Sequence, residues 1–236
     1  MALPKLETQV YELEQPSTGD KIKYRPFLVK EQKTLMMASE SGDEKQIRDS
    51  LAGIISGCTY QKIDPFTVPM FDVEFLFLRI RGKSVGEKIE LNLLCPDDGE
   101  TRVKTSIKLE DIGVNMKAGH TNEISITDKI KIIMNYPTLN DMVGMSGKEN
   151  VGLNEVIDMM KRCVHEVHDG ETIHSKIDMS ESDLDEFIES LTTEQFQGLA
   201  DFFDTMPKVA HSIEVTNPKT KKKGEVVIEG IQSFFE

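Results

Sequence analysis

The sequence predicts an α+β fold of antiparallel hairpins and clustered helices arranged as two lobes. Three observations predict it. Period-two apolar runs come in adjacent pairs joined by turn residues, helical apolar spacings come in blocks, and the βαβ alternation that a parallel sheet requires is missing.

The first pair spans residues 9–29. Val10 and Leu13 precede the breaker run Pro16-Ser17-Thr18-Gly19-Asp20, and Ile22, Tyr24 and Phe27 follow it. Pro26 has no N–H to give a ladder, so this second strand is an edge or stops there. Helices are expected over Lys30–Ser39 and Asp43–Ser56, the latter with Ile47, Leu51, Ile54 and Ile55 on one face. From Pro69 to Arg81 apolar residues cover most of the circumference, which predicts a helix buried from two sides at the centre of the N-terminal half. The clearest hairpin follows. Ile89, Leu91, Leu93 and Cys95 alternate with polar neighbours, Pro96-Asp97-Asp98-Gly99 makes the turn, and Val103, Thr105, Ile107 and Leu109 alternate again.

The pattern lapses over Gly113–Thr121, which divides an N-terminal lobe, 1–115, from a C-terminal lobe, 122–236. Strand-like alternation resumes at Ile124, Ile126, Ile130, Ile132 and Met134, and Gly144–Gly152 reads as a glycine-rich loop. Three helices are then expected: one with Leu153, Val156, Ile157, Met160 and Val164 on its inner face, one after Ser180 or Ser182, and one opening at Thr192 with Gln195 at capping-box spacing. A last hairpin, Ala210–Val215 with Glu225–Ile231, closes the second lobe.

Composition narrows the function classes. The 236 residues carry 28 Lys plus Arg against 41 Asp plus Glu, a net charge of −13. Nucleic acid and anionic membranes are therefore disfavoured partners, because both require a basic face. The start, Met1-Ala2-Leu3-Pro4-Lys5-Leu6-Glu7-Thr8, has no apolar signal core, and the most apolar stretch, Met70–Ile80, is short and carries Asp72, Glu74 and Arg79. That predicts a chain neither secreted nor inserted. Three widely spaced cysteines, Cys58, Cys95 and Cys163, fit free thiols in a reducing compartment.

Motifs with chemistry are weak. Gly82-Lys83-Ser84 ends like a phosphate loop, but the glycine that should open it falls on Phe77 and a helix precedes it; Gly144-Met145-Ser146-Gly147-Lys148-Glu149 is too short and lacks the hydroxyl after its lysine. Cys163, His165, His168 and His174 form the densest set of metal-ligand types. On a helix Cys163 and His165 point about 200° apart, so a metal site needs the helix to end near His168 and the chain to fold back through Gly170 to His174. Cys95 beside Pro96-Asp97-Asp98-Gly99 is half a zinc knuckle without its second cysteine. No hydrolase signature is present, the acidic run Asp183-Leu184-Asp185-Glu186 suits a solvated helix face, and Lys219–Lys223 suits an exposed hairpin tip. These residues predict no cofactor and no catalytic group.

Leu3-Pro4-Lys5-Leu6, Tyr24-Arg25-Pro26-Phe27-Leu28-Val29-Lys30-Glu31 and Phe75-Leu76-Phe77-Leu78-Arg79-Ile80-Arg81-Gly82-Lys83-Ser84-Val85-Gly86-Glu87 resemble the baseplate hub assembly proteins of T-even-type contractile-tailed bacteriophages. The resemblance is strongest over the first 115 residues or so. It implies a non-enzymatic role, as hub subunit or assembly chaperone, in the cytoplasm of the infected cell or in the virion tail baseplate. The implied partners are other baseplate hub or tail proteins, or further copies of this chain. Three contact regions are expected: Leu3, Leu6 and Tyr11 in the N-terminal segment; Arg25, Pro26 and Phe27 at a strand edge; and Phe234 and Phe235 in the tail. In each, docking on the chain itself is the plainer reading. The rival from another class is a metal-dependent enzyme using His165, His168 and His174.

Overall fold

A computed structural model describes residues 7–141 and 152–230. Among these are six α-helices and eleven strands, the strands in four small antiparallel sheets, so the fold is mixed α+β. The chain divides into two compact units, one built from residues 7–115 and 208–230, the other from 116–207.

In the first unit β1 (Tyr11–Glu14) and β2 (Lys21–Tyr24) form a hairpin whose second strand stops just before Arg25-Pro26. Helix α1 (Val29–Ser41) ends at Gly42, whose left-handed φ of 64° lets its N–H reach back to the Ser39 carbonyl. Asp43 caps α2 (Glu44–Cys58) by accepting from the amides of Lys45 and Gln46. Leu51, Ile54 and Ile55 of α2 are buried, whereas Ile47, expected on the same face, is 37% exposed. Helix α3 (Met70–Val85) is the core element, with Phe71, Val73, Leu76, Phe77, Leu78 and Ile80 buried around it.

The Pro96–Gly99 turn joins β3 (Lys88–Leu94) to β4 (Arg102–Lys108), with Leu91 opposite Thr105. A 3₁₀ turn, Leu109–Asp111, leads into β5 (Gly113–Asn115). Arg79 of α3 fixes that turn with a two-pronged grip, donating to the Leu109 carbonyl at 2.7 Å and the Ile112 carbonyl at 2.8 Å. The C-terminal hairpin, β10 (Lys208–Thr216) and β11 (Lys223–Glu229), pairs through β10 with β5 in the order β11-β10-β5. The sequence reading groups this hairpin with the second lobe; ladder bonds to β5, nearly a hundred residues earlier, place it in the first unit instead.

The second unit is a four-stranded sheet in chain order, β6 (Glu123–Ser125), β7 (Lys131–Met134), β8 (Val164–His168) and β9 (Ile173–Ser175). With it come α4 (Leu153–Cys163), α5 (Glu181–Glu189, capped by Ser180) and α6 (Thr193–Thr205, capped by Thr192). Both caps are capping boxes, closed by Asp183 and Gln195. The core gathers Ile132, Met134, Met160, Val164, Leu184, Ile188, Leu199 and Phe202. Helix α4 stops at Cys163, where a helix reaching Val164 or His168 was expected. Val164–His168 pairs with β7 instead, and a register slip leaves His165 as the extra residue of a bulge, which allows Val164 and Val167 both to be buried. The expected Gly144–Gly152 loop lies outside the described residues except for Gly152.

Candidate interaction surfaces

Among the described residues, the side chains that the sequence singles out for chemistry are buried or paired within the chain. The three cysteines are free and buried. Burial pushes the Cys58 thiol up to about 11 and the Cys163 thiol up to about 12, and raises Cys95, so all three stay protonated thiols rather than nucleophilic thiolates. Gly82-Lys83-Ser84 sits inside α3. There Lys83 pairs with Glu87, and the Ser84 hydroxyl bridges the Ile80 carbonyl and the Phe27 amide. No backbone nest for a phosphate forms on a continuous helix.

The chain does fold back through Gly170, as a metal site would require, but as the β8–β9 hairpin. His168 and His165 lie 2.7 Å and 3.6 Å from the Glu166 carboxyl, while His174 turns to Asp169 at 3.3 Å. Among the described residues no group of three or more His, Cys, Asp or Glu is arranged to hold a metal ion. Val167 and not His168 stands opposite His174, so the ladder register keeps the three imidazoles from converging.

Of the expected contact residues, Leu3, Leu6, Phe234 and Phe235 lie outside the described residues. Tyr11 is half-buried, its ring 5.6 Å from that of Tyr24 and its hydroxyl donating to Gln9. Arg25 turns inward: its guanidinium is 2.9 Å from Glu31, donates to the Pro26 carbonyl, and reaches the Cys58 sulfur at 3.7 Å. Pro26 and Phe27 are half-buried beside it, the Phe27 amide held by Ser84. The three residues brace the β2–α1 connection.

Other surfaces carry no sequence motif. Val29, Met36 and Met37 are 80%, 56% and 59% exposed on α1, which buries Ala38 alone. A cleft of about 220 Å³ opens between β3 and β11, lined by Leu91–Leu94, Arg102 and Val226–Ile228. Its closed end is a clasp between the two hairpin tips. The Asn217 side chain, 1% exposed, donates to Asp97 and to Asp98, both at 2.8 Å, and accepts from the amides of Lys219 and Thr220. Both donors and both acceptor lone pairs of the amide are thus used. The Thr220 hydroxyl, then Asn217, hold Asp97 below its ordinary pKa; the Thr101 hydroxyl and amide, with Asn217, hold Asp98 well below. Gly224 lies against the Pro96 ring so closely that a Cβ would come within 2.5 Å of it. Lys219–Lys223 is therefore the outer part of a docked tip.

Among the described residues the fold is mixed α+β, with open sheet edges and without a barrel or a doubly wound sheet. A family model described as T4 bacteriophage base plate protein matches residues 8–236, and the chain belongs to that family. No curated protein and no solved structure gives a significant match. Among the described residues no helix is long and apolar enough to cross a membrane.

Proposed function

We propose that this chain is a non-enzymatic assembly protein of the baseplate hub, acting through contacts with other hub or tail proteins while the tail is built in the host cytoplasm. The observation that carries this reading is the match to a baseplate family over residues 8–236. Open sheet edges support it, since unpaired main-chain groups are completed by another chain. Leu3, Leu6, Tyr11, Phe234 and Phe235 are the proposed contact side chains; the Arg25 guanidinium, paired with Glu31, acts from within the fold. Both a hub subunit and an assembly chaperone fit this role.

Co-expression with the hub and tail proteins of the same phage, followed by size-exclusion chromatography, tests it. The expected result is a stable heteromeric complex with at least one of them. A chain that elutes alone beside every hub and tail protein overturns the reading. Mass spectrometry of purified virions then separates a subunit, which is present, from a chaperone, which is absent.

A further inference from the structure

The cleft between β3 and β11 is bounded by two strand edges whose main-chain groups point into it. The bonds Cys95 N–H to Thr101 carbonyl and Leu109 N–H to Glu87 carbonyl bracket the β3–β4 ladder. Ladder bonds therefore fall on the odd-numbered residues of β3, and Glu90, Asn92 and Leu94 turn their N–H and C=O groups away from β4. On the other hairpin, Asn217 N–H to Lys222 carbonyl and Gly230 N–H to Val209 carbonyl bracket the β10–β11 ladder. There the even-numbered residues of β11 are bonded, and Glu225 and Val227 turn their main chain outward. Contact of Gly224 with Pro96 at the tip sets β3 and β11 antiparallel, yet the two strands share no ladder.

Side chains define the rest of the site. Leu91 and Ile228 are buried beneath it and Leu93 and Val226 half-buried, while Leu94 and Val227 are 42% and 55% exposed at its mouth. Arg102 reaches over β3 and donates to the outward Asn92 carbonyl at 3.0 Å. A long cation over an open edge is a known guard against indiscriminate strand pairing, and a flexible one can swing aside.

We infer that this slot takes in an extended segment of another baseplate protein as a β-strand between β3 and β11, with apolar residues facing Leu91 and Ile228 and acidic residues facing solvent. Main-chain donors and acceptors on both walls that have no ladder partner among the described residues call for a polypeptide backbone, and a strand of about five residues matches the reach from Glu90 to Leu94. Charge selects the partner. The solvent face around the slot carries Lys88, Arg102, Lys104, Lys108 and Lys223 against Glu90, Glu225 and Glu229, the basic excess lying on the β3–β4 side, which favours acidic outward side chains there, whereas a second copy at net charge −13 is repelled.

The inference rests on the assembly reading, and amide hydrogen exchange on the full-length chain, free and in the co-expressed complex, tests the two apart. The amides of Glu90, Leu94 and Val227 should exchange fast in the free protein and at least about tenfold more slowly in the complex. Val227→Pro removes an outward N–H without touching the β10 ladder, and should weaken the complex about tenfold or more with the melting temperature kept. Glu90→Pro does the same from the other wall and serves if the first variant misfolds. Failure to find any complex overturns both readings. A complex in which these amides stay unprotected overturns the slot and leaves the assembly role standing. Protection that appears in the isolated chain as its concentration rises shows self-pairing and overturns the proposed partner.

Discussion

Asn217→Ala should open the clasp between the two hairpin tips. The side chain makes four hydrogen bonds at 1% exposure, two of them to the carboxyl groups of Asp97 and Asp98. A hydrogen bond to a charged group contributes about 1.5–3 kcal/mol and a neutral one about 1. All four partners gain access to water once the amide is gone, so the net loss falls to about 2–3 kcal/mol. For a chain of this size that lowers the melting temperature by roughly 5–10 °C. Asn217→Asp should be worse at neutral pH, because it sets a third carboxylate against the first two. Differential scanning calorimetry between pH 7 and pH 3 is the assay. Asp97 and Asp98 are held below the ordinary 3.8, so their contribution is present above about pH 4 and is lost as the pH falls through the lowered values. The gap between parent and variant should therefore narrow toward pH 3. A melting temperature for Asn217→Ala within 2 °C of the parent at pH 7 refutes the clasp.

Asp72, fully buried in the first turn of α3, accepts from the Gln15 side chain at 2.6 Å and from the amide and hydroxyl of Ser17; Asp72→Ala should cost about 3 kcal/mol in chemical denaturation, by leaving the buried Gln15 amide short of a partner. Arg79→Lys cannot hold the Leu109 and Ile112 carbonyls together, and should speed hydrogen exchange around the 3₁₀ turn while Leu91→Val on the neighbouring strand leaves that turn unchanged. His120 bridges Thr205 at 2.9 Å and Tyr136 at 3.0 Å, and burial pushes it below its ordinary 6.5. The unfolded chain then takes up its proton first, so stability is full above about pH 6.5 and falls on acidification; His120→Gln should remove that part of the pH 7 to 5.5 slope in thermal melts. The three thiols should resist Ellman's reagent in the native protein and react fully in denaturant.

Local grammar made much of the fold legible. The Pro96–Gly99 turn, the Thr192–Gln195 capping box and the apolar density of α3 are each written within a few consecutive residues, and each appears as expected. What escaped is relational. Val164-His165-Glu166-Val167-His168 continues the helical spacing of α4 and becomes a strand because β7 offers it a ladder. The pairing of β10 with β5, and the Asn217 clasp to residues some 120 positions earlier, leave no periodic trace. Arg25 illustrates the converse: a forked cation beside Pro26 and Phe27 has the composition of an interface, and only the approach of Glu31 shows it turned inward. The slot between β3 and β11 belongs to neither hairpin alone, and edge status is decided by which strands fail to meet.

The most direct test of an assembly role is a phage in which the gene for this chain carries a stop codon, grown in a non-suppressing host and viewed by electron microscopy. Infected cells should then accumulate heads without finished tails, and supplying the protein from a plasmid should restore tailed particles. Normal tailed, infectious virions made in its absence would overturn the assembly role.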